Sequence, residues 1–132
     1  MNIKSLSSHK SKEPESNVLY IVGTPIGNLS DLSSRALNIL KNVSVIACED
    51  TRQTKKIMIK YDFTNNLISF NKHNSLSKTP KIINELNSGK SIALVSDAGM
   101  PGICDPGEEL VKNAKSNGIN VICIPGPCAV IT

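Results

Sequence analysis

Aromatic side chains are scarce in this chain. Tyr20, Tyr61, Phe63 and Phe70 are all it has, and tryptophan is absent. So few rings exclude the stacking platform that single-stranded nucleic-acid binders lay under successive bases. Long apolar runs are missing as well. None approaches the roughly 20 residues of a membrane-spanning helix, and the N-terminus lacks the apolar segment of a secretory signal. The cysteines Cys48, Cys104, Cys123 and Cys128 form no C-x-x-C pair. Neither a zinc site nor a disulfide framework has its usual spacing, so reduced, mostly buried thiols and no metal are expected. Nucleotide fingerprints fail too. G-x-G-x-x-G does not occur, and Gly89-Lys90-Ser91 lacks the glycine five positions earlier that a P-loop needs, since Asn84 stands there. Charge of either sign is in no great excess. Lysine and arginine number 15 against 11 acids, a net +4 that leans mildly towards polyanionic partners.

What is there is a repeated unit of apolar run followed by a distinctive turn. Val18–Val22 leads into Gly23-Thr24-Pro25-Ile26-Gly27-Asn28, and Val43–Cys48 into Glu49-Asp50-Thr51-Arg52. Leu67–Phe70 leads into Asn71-Lys72-His73-Asn74. Ser91–Val95 leads into Ser96-Asp97-Ala98-Gly99-Met100-Pro101, and Ile119–Ile124 into Pro125-Gly126-Pro127. Unbroken apolar runs suit strands covered on both faces, as in parallel sheets. Helical spacing fills the intervals. Leu32, Ala36, Leu37 and Leu40 share a stripe that Ser30, Asp31 or Ser33 caps. Asp50 or Thr51 caps a second helix. Ile82, Ile83 and Leu86 face inward on a third, which Asn87-Ser88-Gly89 stops. Leu110, Val111 and Ala114 do so on a fourth, which Asn117-Gly118 ends. The order βαβαβαβαβ predicts an α/β fold: a three-layer domain with a five-stranded parallel sheet flanked by helices. Residues 1–17 are rich in Ser and Lys and read as a disordered tail. The domain then spans residues 18–132. The chain stops as another helix starts, so a fragment whose C-terminal domain is missing is expected.

In open α/β sheets ligands bind outside the carboxyl ends of the strands, where these turns fall. The glycines of the first turn let backbone approach a ligand closely. Glu49 and Asp50 offer carboxylates that orient or deprotonate a hydroxyl. Arg52 offers a bidentate grip on phosphate or carboxylate, or pairs with a neighbour. His73 is a candidate general base. The segment Ser96–Gly107 packs three glycines and two prolines into a shaped loop, with Asp97 placed to accept hydrogen bonds from a ligand.

Read in order, these six segments resemble the tetrapyrrole-methylase superfamily, and within it the methylases of ribosomal RNA 2′-hydroxyls. The resemblance covers Val18 to Thr132. It rests on Thr24-Pro25-Ile26-Gly27-Asn28-Leu29, Glu49-Asp50-Thr51-Arg52, His73-Asn74, Ser96-Asp97-Ala98-Gly99, Asp105-Pro106-Gly107 and Pro125-Gly126-Pro127. It implies S-adenosylmethionine as methyl donor, a cytidine of small-subunit ribosomal RNA as acceptor and a homodimer; the reduced thiols point to a cytoplasmic location. The donor site would comprise Thr24, Pro25, Gly27, Asp97, Ala98, Gly99, Met100, Pro101, Pro125 and Gly126. Glu49, Asp50 and His73 would be catalytic, with the base open among them. Arg52, Lys55 and Lys56 would meet RNA. Met100 stands where the family pattern has threonine, and Ser75 where it tends to have glutamate. A tetrapyrrole or corrin precursor methylase of the same superfamily, or a non-catalytic α/β binding fragment, are the alternative readings.

Overall fold

The computed structural model describes residues 13–24, 32–96 and 106–124. Strands and helices alternate in the expected order: β1 (Val18–Gly23), α1 (Ser34–Asn42), β2 (Val45–Cys48), α2 (Thr51–Lys60), β3 (Leu67–Ser69), α3 (Ser75–Asn87), β4 (Ile92–Ser96), α4 (Gly107–Ser116) and β5 (Asn120–Ile124). The five strands form one sheet in the order β3-β2-β4-β1-β5. Every pairing is parallel, and the register is continuous across the sheet. Gly23 lies opposite Ser96, Val22 opposite Ile124, and Cys48 opposite both Val95 and Ser69. The five carboxyl ends therefore end along one edge.

The alternation of side chains along each strand builds two cores. Leu19, Ile21, Ala47, Ile92 and Leu94 face α3 and α4, where Ile82, Leu86, Leu110 and Ala114 cover them. Val18, Tyr20, Val22, Ile46 and Val95 face α1 and α2, and meet Ala36, Ile39, Leu40 and Ile57. The result is a helix–sheet–helix sandwich. Burying each Leu or Ile contributes about 1.5–3 kcal/mol, so the apolar runs that read as strands are also what holds the layers together.

Local details depart from the sequence reading. On α1 the inward stripe is Ala36, Ile39 and Leu40, while Leu37 is only half-buried. Positions 36, 39 and 40 follow the three-and-four spacing of a helical face, and Leu37 falls off it. Ser33 is the cap, accepting the Ala36 N–H at 3.1 Å. Val43 donates to the Ile39 carbonyl and closes α1, so β2 starts later, at Val45. The tail expected to run through residue 17 is tied down in its last residues. Arg35 makes two 2.9 Å hydrogen bonds to the Glu13 carboxylate, the Glu15 N–H donates to the Tyr20 hydroxyl at 2.8 Å, and the Asn17 N–H donates to the Lys90 carbonyl at 3.1 Å. Composition hid this, because the partners are a buried tyrosine and a distant helix. Cys48 is a buried free thiol as expected. Cys123 is instead disulfide-bonded.

The two helix-stopping glycines have left-handed backbone, φ +103° at Gly89 and +73° at Gly118. A Cβ would meet open space at either, so alanine there costs backbone strain alone. Gly118→Ala is expected to destabilise the chain by about 1 kcal/mol. Gly89→Ala is expected to cost more, because its φ lies further from the left-handed well near +57°. Urea unfolding of both variants checks this; two midpoints equal to that of the parent chain would contradict it.

Candidate functional site

The strand ends divide the rim into two halves. The helices that follow β1 and β2 pack on one face of the sheet, and the helix that follows β4 packs on the other. β4 lies between β1 and β2. The helix that follows β4 therefore packs on the face opposite to those that follow its two neighbours, the arrangement associated with ligand crevices in doubly wound sheets. The residues at the ends of β1 and β4 are small: Gly23, Thr24 and Ser96. Thr24 is 6% exposed. Its N–H donates to the Ser96 carbonyl at 3.0 Å, and its hydroxyl donates to the same oxygen at 3.4 Å. That double contact locks the ends of β1 and β4 side by side. Of the expected donor-site residues, Thr24 is thus placed. Pro25, Gly27, Asp97, Ala98, Gly99, Met100, Pro101, Pro125 and Gly126 lie outside the described residues, each in a segment that continues from the end of β1, β4 or β5.

The other expected residues follow β2 and β3, the neighbouring pair at the far side of the rim. Glu49 is exposed just past β2. Asp50 is the N-cap of α2, so the cap falls on it and not on Thr51. Its Oδ1 accepts the Arg52 N–H at 2.9 Å. The Arg52 guanidinium also reaches both carboxylate oxygens, at 3.2 and 3.4 Å. These hydrogen bonds hold the Asp50 carboxyl below the usual carboxylate range and push Arg52 up. A lowered pKa weakens Asp50 as a proton acceptor. The pair is open to solvent, with the Arg52 side chain 86% exposed, and an exposed pair is worth little. Arg52 can therefore exchange its partner for a phosphate. Lys55 and Lys56 are exposed on α2 beyond it.

His73 stands on an exposed corner after β3, in a loop with a firm frame that the sequence reading missed. Asn71 Oδ1 accepts the N–H groups of His73 and Asn74, at 2.8 and 3.2 Å. Asn74 in turn accepts the Asn71 N–H through Oδ1 at 2.9 Å and donates through Nδ2 to the Ser69 hydroxyl at 2.9 Å. The signal was the Asn-x-x-Asn spacing, since asparagine mimics backbone in turns. Beside this corner a depression of about 510 Å³ opens between the starts of α3 and α4, lined by Lys72, Ser75, Leu76, Thr79 and Glu109 among others. Leu76 is 93% exposed there.

Known proteins extend these observations. The family model described as Tetrapyrrole (Corrin/Porphyrin) Methylases matches residues 18–132. The chain is 47% identical over 130 residues to ribosomal RNA small subunit methyltransferase I of Halalkalibacterium halodurans, covering 98% of this chain and 45% of that protein. It is 52% identical over 115 residues to the protein of the same name from Bacillus subtilis, covering 87% of this chain and 39% of that protein. The chain thus spans less than half the length of these relatives. Among solved structures, uroporphyrin-III-C-methyltransferase from Thermus thermophilus superposes with a TM-score of 0.64 at 19% identity, over 86% of this chain and 48% of that one. Diphthine synthase gives 0.64 at 15% identity, over 85% and 45%. At such identities the structures speak for the fold alone.

The Glu13–Arg35 ion pair makes part of the stability depend on pH. Hydrogen bonds from Arg35 likewise hold the Glu13 carboxyl below its ordinary range. A carboxyl with a lower folded pKa stabilises the fold above its unfolded pKa, and that contribution is lost as pH falls through the folded value. Arg35→Ala is expected to lower the urea midpoint most at neutral pH. The gap to the parent chain should close below about pH 4. A gap that stays constant from neutral pH to about pH 3 would contradict the assignment.

Proposed function

The chain belongs to the tetrapyrrole (corrin/porphyrin) methylase family, and from that premise we propose that it serves as the N-terminal domain of an S-adenosylmethionine-dependent methyltransferase acting on the 2′-hydroxyl of a cytidine in small-subunit (16S) ribosomal RNA. The names of relatives at 47% and 52% identity support the RNA substrate. The observation that carries the reading is the rim. β4, β1 and β5 lie together and lead into the expected donor segments, while β2 and β3 lie together and lead into Glu49, Asp50, Arg52 and His73. Donor and acceptor halves meet at the β2–β4 boundary. The acceptor half also adjoins the lysines of α2. A homodimer in the cytoplasm is part of the same reading.

The strand ends at β4 are compatible with such a donor, because Gly23, Thr24 and Ser96 put no bulky side chain there. Thr24 and the segments after β1, β4 and β5 would hold it. When bound, S-adenosylmethionine supplies an electrophilic methyl group on a sulfonium. The rest falls to the chain. The Thr24–Ser96 contact keeps the strand ends aligned, and alignment of reactants is the larger part of catalysis for an already reactive donor. The acceptor hydroxyl must lose a proton. The Glu49 carboxylate and a His73 ring nitrogen are the acceptors for it, and neither side chain has a hydrogen bond among the described residues. Asp50 orients Arg52 and the first turn of α2. Arg52 then meets a phosphate oxygen of the RNA, fixing position without reading sequence.

In the full-length protein, Glu49→Gln or His73→Ala is expected to lower kcat for methyl transfer to small subunits about 10²–10⁴-fold, the usual worth of a general base. Asp50→Asn is expected to have a smaller effect, since it retains the cap. Initial rates with labelled donor measure this. Activity within twofold of the parent in all three variants would overturn the assignment of the β2–β3 half.

A further inference from the structure

A second basic feature lies away from the rim, on the face of the sheet opposite α2. α3 starts after the carboxyl end of β3 and finishes before the amino end of β4, so it runs the height of the sheet. At 13 residues and about 1.5 Å per residue it is roughly 20 Å long. Between it and the β2–β3 edge runs a groove of about 310 Å³. Lys78 and Lys81 stand three positions apart on α3 and line it from one side. Lys90 closes it at the amino edge of the sheet, where Asn66 also lines it. Ile68 and Ile82 form an apolar floor. Lys72 carries the same charge up to the rim, in the depression beside the His73 corner.

The charges in this groove are not consumed by the fold. Lys78 and Lys81 have no ion pair among the described residues. The one carboxylate lining the groove, Glu85, lies 3.9 Å from Lys90, with the two side chains 44% and 53% exposed. A contact that long and wet is worth almost nothing, and Lys90 can leave it for a stronger anion. Three lysines against one glutamate leave the groove cationic from Lys78 on α3 to Lys90 at the amino edge of the sheet. An extended polyanion fits that shape; a compact anion would use only one end of it.

We propose that this groove takes the sugar-phosphate backbone of the RNA substrate beside the nucleotide that is methylated, with Lys78, Lys81 and Lys90 on successive phosphates. The proposal rests on the RNA-methylating reading above. It adds a track on the α3 face to the contacts expected of Arg52, Lys55 and Lys56 on the α2 side. Such contacts carry affinity and salt dependence, not sequence choice.

The test uses the full-length protein and a fragment of small-subunit ribosomal RNA. Lys78→Ala with Lys81→Ala is expected to weaken RNA binding about tenfold near physiological salt. It should also reduce the slope of log K against log salt by about 1–2, as loss of two phosphate contacts requires. The KM for RNA should rise while affinity for S-adenosylmethionine is unchanged. Lys115→Ala, an exposed lysine at the end of α4, is the control and should bind RNA as the parent does. Unchanged affinity and slope in the double variant, with the parent methylating RNA normally, would overturn the groove alone. An equal loss in the control would also overturn it, by reducing the effect to net charge. A parent protein that neither binds nor methylates the RNA would overturn the functional reading, and the groove with it.

Discussion

Everything that positions chemistry in this molecule depends on the in-register parallel pairing of β4 with β1 on one side and β2 on the other. Parallel pairing alone puts strand ends on a common edge. The register decides whether they form a shelf or a staircase. Here Gly23 meets Ser96, Val95 meets Cys48, and Cys48 meets Ser69, so the shelf is level and segments far apart in the chain start from neighbouring points. The Thr24 hydroxyl and N–H on one Ser96 carbonyl reinforce the join at the centre. This is also where the chain changes direction across the sheet. The hydrophobic side chains on the two faces make the arrangement stable, and the reversal at β4 makes it useful.

The fold was legible because its strands are covered on both sides. Runs such as Val18–Val22 and Ile92–Val95 have no polar face to present to water, which restricts them to the middle of a layered structure. Helix ends were legible where glycine was required, at Gly89 and Gly118. Strand order was not, because nothing in a run of valine and isoleucine states its neighbour. Leu37 was misplaced for a related reason: one turn of helix tolerates several stripes, and packing against β1 and β2 selects among them. The anchoring of Glu13–Asn17 was invisible because it depends on Arg35 and Tyr20, which join it only after folding.

The candidate site was legible as a set of segments more than as a set of roles. That the turns after β1, β2, β3, β4 and β5 share an edge follows from the parallel sheet. The role of Asp50 does not follow from composition. An aspartate before Thr-Arg reads equally as a base or as a cap, and the structure shows it as the cap of α2 with its carboxylate paired to Arg52. The α3 groove was hidden more deeply. Lys78 and Lys81 sit in an ordinary polar helix face, and Lys90 drew notice only as part of a failed phosphate loop. Folding brings them together across a sheet edge. Two basic faces then lie on either side of the β2–β3 half of the sheet, one on α2 and one on α3. A chain with few aromatic rings would hold RNA by its backbone charge, and the layout of lysines agrees with that economy.

The central claim is that the rim around the end of β4 forms one wall of the donor site. A crystal structure of the full-length protein with S-adenosylhomocysteine tests it most directly. The account predicts the ligand over the carboxyl ends of β4, β1 and β5, against Thr24 and the segments that follow Ser96 and Ile124. A ligand bound at the amino edge of the sheet, or touching none of those strand ends, would contradict it.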